Sequence, residues 1–227
     1  MKKERKEDCL YKSVCNNECF DGCPRYNGMK RLLELSNLPK AQQCPHKIYN
    51  VDIDAVSYAQ LNDIKTYIVE FVRDGKDLFI CSNYCGNGKT TWAVKMMLKY
   101  FDRTWENSYD VTRALFVHVP TLLIDLRNVF NPEVELPEYI SRIAEADLVV
   151  WDDFASSDRI SDYIHEQLLR MIDYRISMGK SNIYTSNVTT LNELSKIVGD
   201  RLSSRVFAKA TVIELQSKVD FRIGGVN

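Results

Sequence analysis

Eight residues constrain this chain more than any others. Asn83-Tyr84-Cys85-Gly86-Asn87-Gly88-Lys89-Thr90 follows the pattern G-x-x-x-x-G-K-S/T, with Asn83 in place of the first glycine. The stretch falls between an apolar run, Leu78 to Cys81, and a helical pattern from Trp92 to Tyr100. Strand, loop and helix in that order is the setting such a loop requires. Gly86 and Gly88 let the backbone curl until successive N–H groups face one phosphate, and the start of the following helix adds its dipole. Lys89 brings a cation to the β and γ oxygens, and the Thr90 hydroxyl is a ligand for Mg²⁺. Asparagine tolerates a left-handed backbone, so Asn83 is expected to replace the first glycine by adopting it. The nucleotide-binding set is Asn83, Tyr84, Cys85, Gly86, Asn87, Gly88, Lys89, Thr90 and Thr91. A glycine turn capped by Thr90 is the competing reading of the loop taken alone.

A second element decides between them. Leu148-Val149-Val150-Trp151 is an apolar strand that ends in two carboxylates, Asp152 and Asp153. Asp152 is suited to hold Mg²⁺ directly or through water, and Asp153 to orient or deprotonate an attacking water. Between loop and acids lies another apolar run, Ala114 to Val119, so at least one strand separates the two in sequence.

The rest of the chain alternates in the same way. Tyr58 to Val72 is one amphipathic stretch, and Leu122 to Val129, Ile160 to Met178 and Leu191 to Val198 read as helices. Ile183 to Thr185 and Thr211 to Leu215 read as strands. The firmest helix is 160–178, where Ile160, Ile164, Leu168, Ile172 and Ile176 recur every four residues and Gly179 follows as a stop. Short, continuously apolar strands between helices imply a five-stranded parallel sheet covered on both faces, an α/β fold. Only twelve residues follow Leu215, too few for a full helical lid.

Composition removes other classes. Among 227 residues, 30 Lys and Arg stand against 31 Asp and Glu, a formal charge of −1, so global charge cannot drive binding to nucleic acid or membrane. A 45% hydrophobic content excludes a disordered chain. No apolar run approaches the roughly 20 residues that span a bilayer, and Met1 to Asp8 has no apolar region behind it, so a cytoplasmic protein without membrane contact is expected.

Five of the seven cysteines, Cys9, Cys15, Cys19, Cys23 and Cys44, precede residue 45. In a reducing compartment such a cluster points to metal rather than disulfides. Cys9, Cys15, Cys19 and Cys23 supply four thiols for a tetrahedral Zn²⁺, with Cys44 or His46 as alternates for any one of them. An iron–sulfur cluster and free thiols are the other readings. Leu38 to Pro45 lacks periodicity and carries two prolines, so it reads as a linker. It divides a Cys-rich module, 1–45, from a larger domain, 46–227. Cys81 and Cys85 are expected as small packing residues, with a redox-sensitive Cys85 as the alternative.

From about residue 50 to 222 the chain resembles the DnaC/DnaI-type helicase loaders and the related IstB ATPases of the AAA+ class. The residues that carry the likeness are Ala146 to Phe154, Leu169 to Arg175, Thr185-Ser186-Asn187 and Gly199-Asp200-Arg201-Leu202-Ser203-Ser204-Arg205. The resemblance implies that Asn187 is the polar sensor at the end of the fourth strand; by the residues alone, Asn187 can equally cap the next helix. It implies that Arg205 is the finger offered to a neighbouring subunit's nucleotide, with Arg201 as the rival assignment, and that Arg222 has a second sensor role. Asp153 stands where many relatives carry the longer Glu, which implies slow hydrolysis. The implied function is ATP-dependent loading of a hexameric replicative helicase onto single-stranded DNA, with self-association through the finger. The Cys-rich module would bind the helicase. An IstB-like ATPase that assists a transposase and a nucleotide-switched binding module are the alternatives. Trp92, Lys95, Lys99, Tyr100, Phe101 and Arg103 form the local basic–aromatic candidate for DNA contact, against an ordinary amphipathic helix.

Overall fold

The computed structural model describes residues 9–11, 15, 19–20, 22–43, 52–107, 112–127, 136–155 and 162–221. Five strands form its centre: β1 (Asp77–Cys81), β2 (Ala114–His118), β3 (Leu148–Asp152), β4 (Ser181–Ser186) and β5 (Ala210–Glu214). They pair in the order β2-β3-β4-β1-β5, and every pairing is parallel. β4 therefore lies between the strand that feeds the phosphate loop and the strand that carries the acids. Every residue of β1, β3 and β4 is buried.

Side-chain alternation along these strands builds two cores. Leu78, Ile80, Phe116, Leu148, Val150 and Ile183 point to one face, where they meet α1 (Pro24–Leu35), α2 (Ala55–Thr66), α3 (Ile68–Arg73) and α4 (Lys89–Thr104). Phe79, Cys81, Leu115, Val117, Val149, Trp151 and Tyr184 point to the other. That face is covered by α5 (Val119–Arg127), α6 (Leu136–Glu145), α7 (Asp162–Ser177), α8 (Leu191–Val198) and α9 (Asp200–Lys209).

The pattern-based elements recur with shifted ends. The stretch from Tyr58 to Val72 is not one helix: it breaks at Tyr67, and α3 restarts on a new axis that buries Ile68, Phe71 and Val72. α7 ends before Gly179, whose φ of +65° supplies the left-handed stop, whereas Ile160 lies outside the described residues. α6 was not expected from periodicity, and its Leu136 and Ile143 are buried in the second core.

Arg175 holds the end of the sheet away from the phosphate loop. Fully buried on α7, it donates to the carbonyls of Ile143 and Ala146, each at 2.7 Å, to that of Ser181, and to Asn182 Oδ1 at 2.7 Å. Burial lowers its pKa to about 10 against the pull of Tyr184, Asp77 and Asp147. Asn182 in turn accepts from Trp151 Nε1 and donates to Asp77. One guanidinium thus ties α6, α7 and the starts of β3 and β4 together.

The segment that precedes α2 packs onto the sheet and α4. Met29, Leu32 and Leu38 share the core of α4, and Phe116 N–H on edge strand β2 donates to Ser36 O at 2.7 Å. Arg142 reaches back to Leu35 O and Asn37. Asp102 on α4 accepts from Tyr11 at 2.7 Å, Arg25 at 2.5 Å and Lys99 at 2.9 Å, with Arg25 stacked on the Tyr11 ring. Cys9, Cys15, Cys19 and Cys23 are half-buried. Among the described residues, no three of their sulfurs lie within 4.8 Å of one another. Cys44 and His46 lie outside the described residues.

Burial alone would raise the Asp102 pKa, but its three donors hold it at about 2, against an ordinary value of 3.8. A depressed carboxyl contributes stability above its unfolded pKa and loses it as pH falls through the folded one. Asp102→Ala is expected to cost about 1–3 kcal/mol at pH 7. Its difference from the wild type, read by denaturant unfolding, should shrink as pH falls from about 4 towards 2.

Candidate functional site

The loop that follows β1 closes on itself through side chains. Ser82 Oγ accepts from Tyr84 N–H at 3.1 Å and from Asn87 Nδ2 at 2.6 Å. Gly86 has φ +74° and Gly88 φ +99°, conformations a side chain would strain. Asn83 does not have a positive φ. The expectation that it would mimic a left-handed glycine is corrected: the turn takes its left-handed residues from Gly86 and Gly88 alone. Lys89 is buried at the start of α4 and donates to Tyr84 O at 2.7 Å and Asn87 Oδ1 at 3.3 Å.

Asp152 lies opposite this helix start. Its Oδ1 accepts from Thr90 Oγ1 at 2.7 Å and from Thr185 Oγ1 at 2.7 Å, which joins α4, β3 and β4 at one oxygen. Burial raises the Asp152 pKa, the two hydroxyl bonds oppose the shift, and the neighbouring Asp153 adds to it. Asp153 leaves the strand with φ +55°, fixed by its own N–H to Thr185 Oγ1 and by Phe154 N–H to Thr185 O. Its carboxylate stands 3.6 Å from His118 Nε2 at the end of β2, while His118 Nδ1 is 2.8 Å from Thr121 Oγ1. Among the described residues, ligand atoms of His118, Asp152 and Asp153 gather within 4.8 Å. With the Thr90 hydroxyl bonded to Asp152, this is an oxygen-rich set that fits Mg²⁺.

These residues line one cavity of about 400 Å³, within the range of small-molecule sites. Cys85, Gly86, Asn87, Gly88, Lys89, Thr90, Thr91, Asp152, Asp153 and Asn187 form it, joined by Ala41, Gln42, Val94, His118 and Phe221. The strap beyond β5 wraps the loop from outside. Asn87 Nδ2 reaches Leu215 O and Ser217 O, Phe221 N–H donates to Gly86 O at 2.9 Å, and Lys218 sits over the Tyr84 ring. A Cβ at Gly86 would fall 2.0 Å from the Asp220 carboxyl, so the close approach of the strap also requires glycine there.

No family model matches this sequence, and no curated protein matches it. Its structure does match solved ones. The DnaC helicase loader aligns with a TM-score of 0.58 at 20% identity, over 82% of this chain and 99% of that one. DnaI aligns with a TM-score of 0.61 at 18% identity, over 79% of this chain and 95% of that one. AMPPCP-bound DnaA from Aquifex aeolicus aligns at 0.57 and 14% identity, over 77% and 50%. The chain therefore shares its fold with the DnaC helicase loader and with DnaI.

Within this fold the sequence-based residues separate into three groups. Residues 85–91 of the loop, both acids and Asn187 meet in the cavity, whereas Asn83 and Tyr84 do not line it, and the helix after Asn187 is capped by Thr190, whose hydroxyl accepts from Glu193 N–H in a reciprocal box. Asn187 is therefore not the cap. Arg201 and Arg205 lie on α9, outside the cavity lining, and Arg205 pairs with Asp173 of α7 at 3.1 Å. Arg222 lies outside the described residues.

One alternative reading is removed and one expectation is corrected. Trp92, Tyr100 and Phe101 are buried in the core beneath α4, so they present no stacking surface for bases. Cys81 is a packing residue, its thiol pushed up to about 12 by burial, but Cys85 is exposed at the cavity. Sequence reasoning missed His118, Thr185, Gln42 and Phe221. Thr185 and His118 each stand at or near the polar end of an apolar strand, a signal like the one that exposed Asp152. Gln42 and Phe221 carried none.

A carboxyl whose pKa is raised by folding loses stability as pH rises between its unfolded and folded values, so ionised Asp152 is a net cost to the nucleotide-free protein at pH 7. Asp152→Asn is expected to melt at the same temperature as the wild type or a few degrees higher, roughly 0–5 °C. Isothermal titration should show its Mg²⁺-dependent gain in ATP affinity abolished.

Proposed function

We propose that this chain is an ATPase that loads a replicative helicase onto single-stranded DNA. One observation carries the nucleotide part: Thr90 and Thr185 converge on Asp152 in the cavity that also contains Lys89 and the curled Gly86–Gly88 backbone. The DnaC helicase loader and the AMPPCP-bound DnaA share this fold, which supports ATP as the ligand and helicase loading as its use.

The roles follow from position. The N–H groups of the loop bind the phosphates, and Lys89 exchanges its bond to Tyr84 O for phosphate oxygens. Magnesium, when bound, supplies charge neutralisation to the β and γ oxygens, and Thr90 and Asp152 would hold it. Asp153 accepts the proton of the attacking water, or orients it, and Asn187 donates its amide to that water or to the γ-phosphate. His118 sits where it pairs with Asp153, and so restrains the carboxylate until a ligand displaces it.

Arg205 is the proposed finger. It is exposed on a face away from its own cavity, which suits a group that completes the site of a second copy, and head-to-tail contacts of this kind build rings or spirals. Arg201, one turn earlier on α9, is the flanking candidate. The helicase, the single-stranded DNA and a zinc ion on the N-terminal cysteines belong to the proposal, and the zinc is supported only by the number of thiols.

The deciding experiment is co-purification with the host's helicase in the presence of ATP, followed by turnover with single-stranded DNA. ATP-dependent co-purification and stimulated turnover are expected, and Lys89→Ala should lose at least tenfold in ATP affinity and all stimulation. Capture of a transposase instead would select the IstB-like alternative. Arg205→Ala is expected to bind ATP as the wild type does but to lose about a hundredfold or more in assembled turnover. A weakened affinity in the monomer would remove the finger role.

A further inference from the structure

Gln42 lies in a segment that sequence patterning treats as a linker, yet it forms part of the nucleotide cavity. It closes a single 3₁₀ turn, Lys40–Gln42, in which Gln42 N–H donates to Pro39 O at 2.8 Å. The next residue anchors the turn from the other side, with Gln43 Nε2 donating to Leu38 O at 3.2 Å. The turn is held near the site at its other end as well: Leu38 is buried in the core beside α4, and Pro39 lines an adjoining cleft with His118.

The side chain of Gln42 is directed inward. Its Oε1 is buried without a hydrogen-bond donor among the described residues, while the residue lines the cavity with Lys89, Thr90, Asp152 and Asp153. A buried acceptor left without a partner is costly, and such atoms in native structures call for an explanation. A donor supplied by the ligand provides one.

The chemistry of a magnesium nucleotide limits what that donor is. Phosphate oxygens only accept, so the triphosphate itself has nothing to give an amide oxygen. The donors on the complex are the exocyclic amino group of the base, the ribose hydroxyls and water bound to the metal. We infer that Gln42 is a nucleotide-recognition residue whose Oε1 accepts a hydrogen bond from one of these N–H or O–H groups of the bound magnesium nucleoside triphosphate. This inference rests on the reading of the cavity as a nucleotide site.

Gln42→Leu preserves the size of the side chain and removes the acceptor, and it separates a binding role from a structural one. Nucleotide-free Gln42→Leu should melt at or above the wild-type temperature, because the unmatched acceptor is gone. Its affinity for MgATP, measured by isothermal titration on the full chain, should fall about tenfold.

Three further titrations identify the donor. If it is the amino group, the wild-type preference for ATP over GTP disappears in the variant. If it is a ribose hydroxyl, 2′- or 3′-deoxy-ATP binds the wild type as weakly as ATP binds the variant. If it is metal-bound water, the two proteins bind ATP equally in EDTA.

Affinity for MgATP within twofold of the wild type would overturn the inference, as would a loss of affinity accompanied by a lower nucleotide-free melting temperature. A wild-type chain that binds no nucleotide at all would overturn the site reading beneath it, and the wild-type titration alone tells these failures apart.

Discussion

Two hydroxyls on one carboxylate oxygen organise the working end of this protein. Thr90 comes from the first turn of α4, Thr185 from the end of β4, and Asp152 from the end of β3, and both bonds are 2.7 Å. Because Asp152 is buried, each bond is stronger than it would be at the surface, and loss of either would leave a buried charge underpaired. The loop, β3 and β4 are therefore held in one relative position before any ligand arrives. The cost of burying Asp152, visible in its raised pKa, is carried by the nucleotide-free state.

That convergence depends on strand order. Because β4 is inserted between β1 and β3, the chain can deliver Thr185 and Asn187 into the space between the phosphate loop and the acids. The arrangement is kept square from the opposite end, where Arg175 satisfies three carbonyls and Asn182, and Asn182 hands the network on to Asp77 and Trp151. A parallel sheet covered on both faces places its ligand at the carboxyl ends of the strands, and the cavity lies there.

The loop-and-acid half of the site was legible because its chemistry is written in short local words. Gly86, Gly88, Lys89 and Thr90 sit within five residues, Asp152 and Asp153 end an unmistakable apolar run, and both patterns have few other uses. Asn83 was misread for a physical reason: its position in the motif suggested a left-handed turn, but the loop is closed by Ser82 and Asn87 side chains and needs no such conformation there. The aromatic residues of α4 were open to two readings, since Trp92, Tyr100 and Phe101 look the same in sequence whether they face bases or a core. Packing against Tyr58, Phe71 and Phe116 made them core. Tyr67, with φ −102° and ψ +33°, likewise interrupts a stretch whose pattern reads as one helix.

The order of residues alone determined a two-faced parallel α/β sheet and the identity of the phosphate loop, because strand alternation, helical periodicity and glycine placement are local properties of the backbone. Only the tertiary structure decided what else surrounds the ligand. Gln42 and Phe221 stand far apart in the chain and from the motif, and neither has a pattern of its own. They reach the cavity because the segment before the domain is held by the edge of β2 and the strap after β5 is held by Gly86 and Asn87. Arg205 was separated from its own site in the same way, by the packing of α9 on α7. Such long-range placements are set by which surfaces bury one another, and no stretch of sequence encodes them by itself.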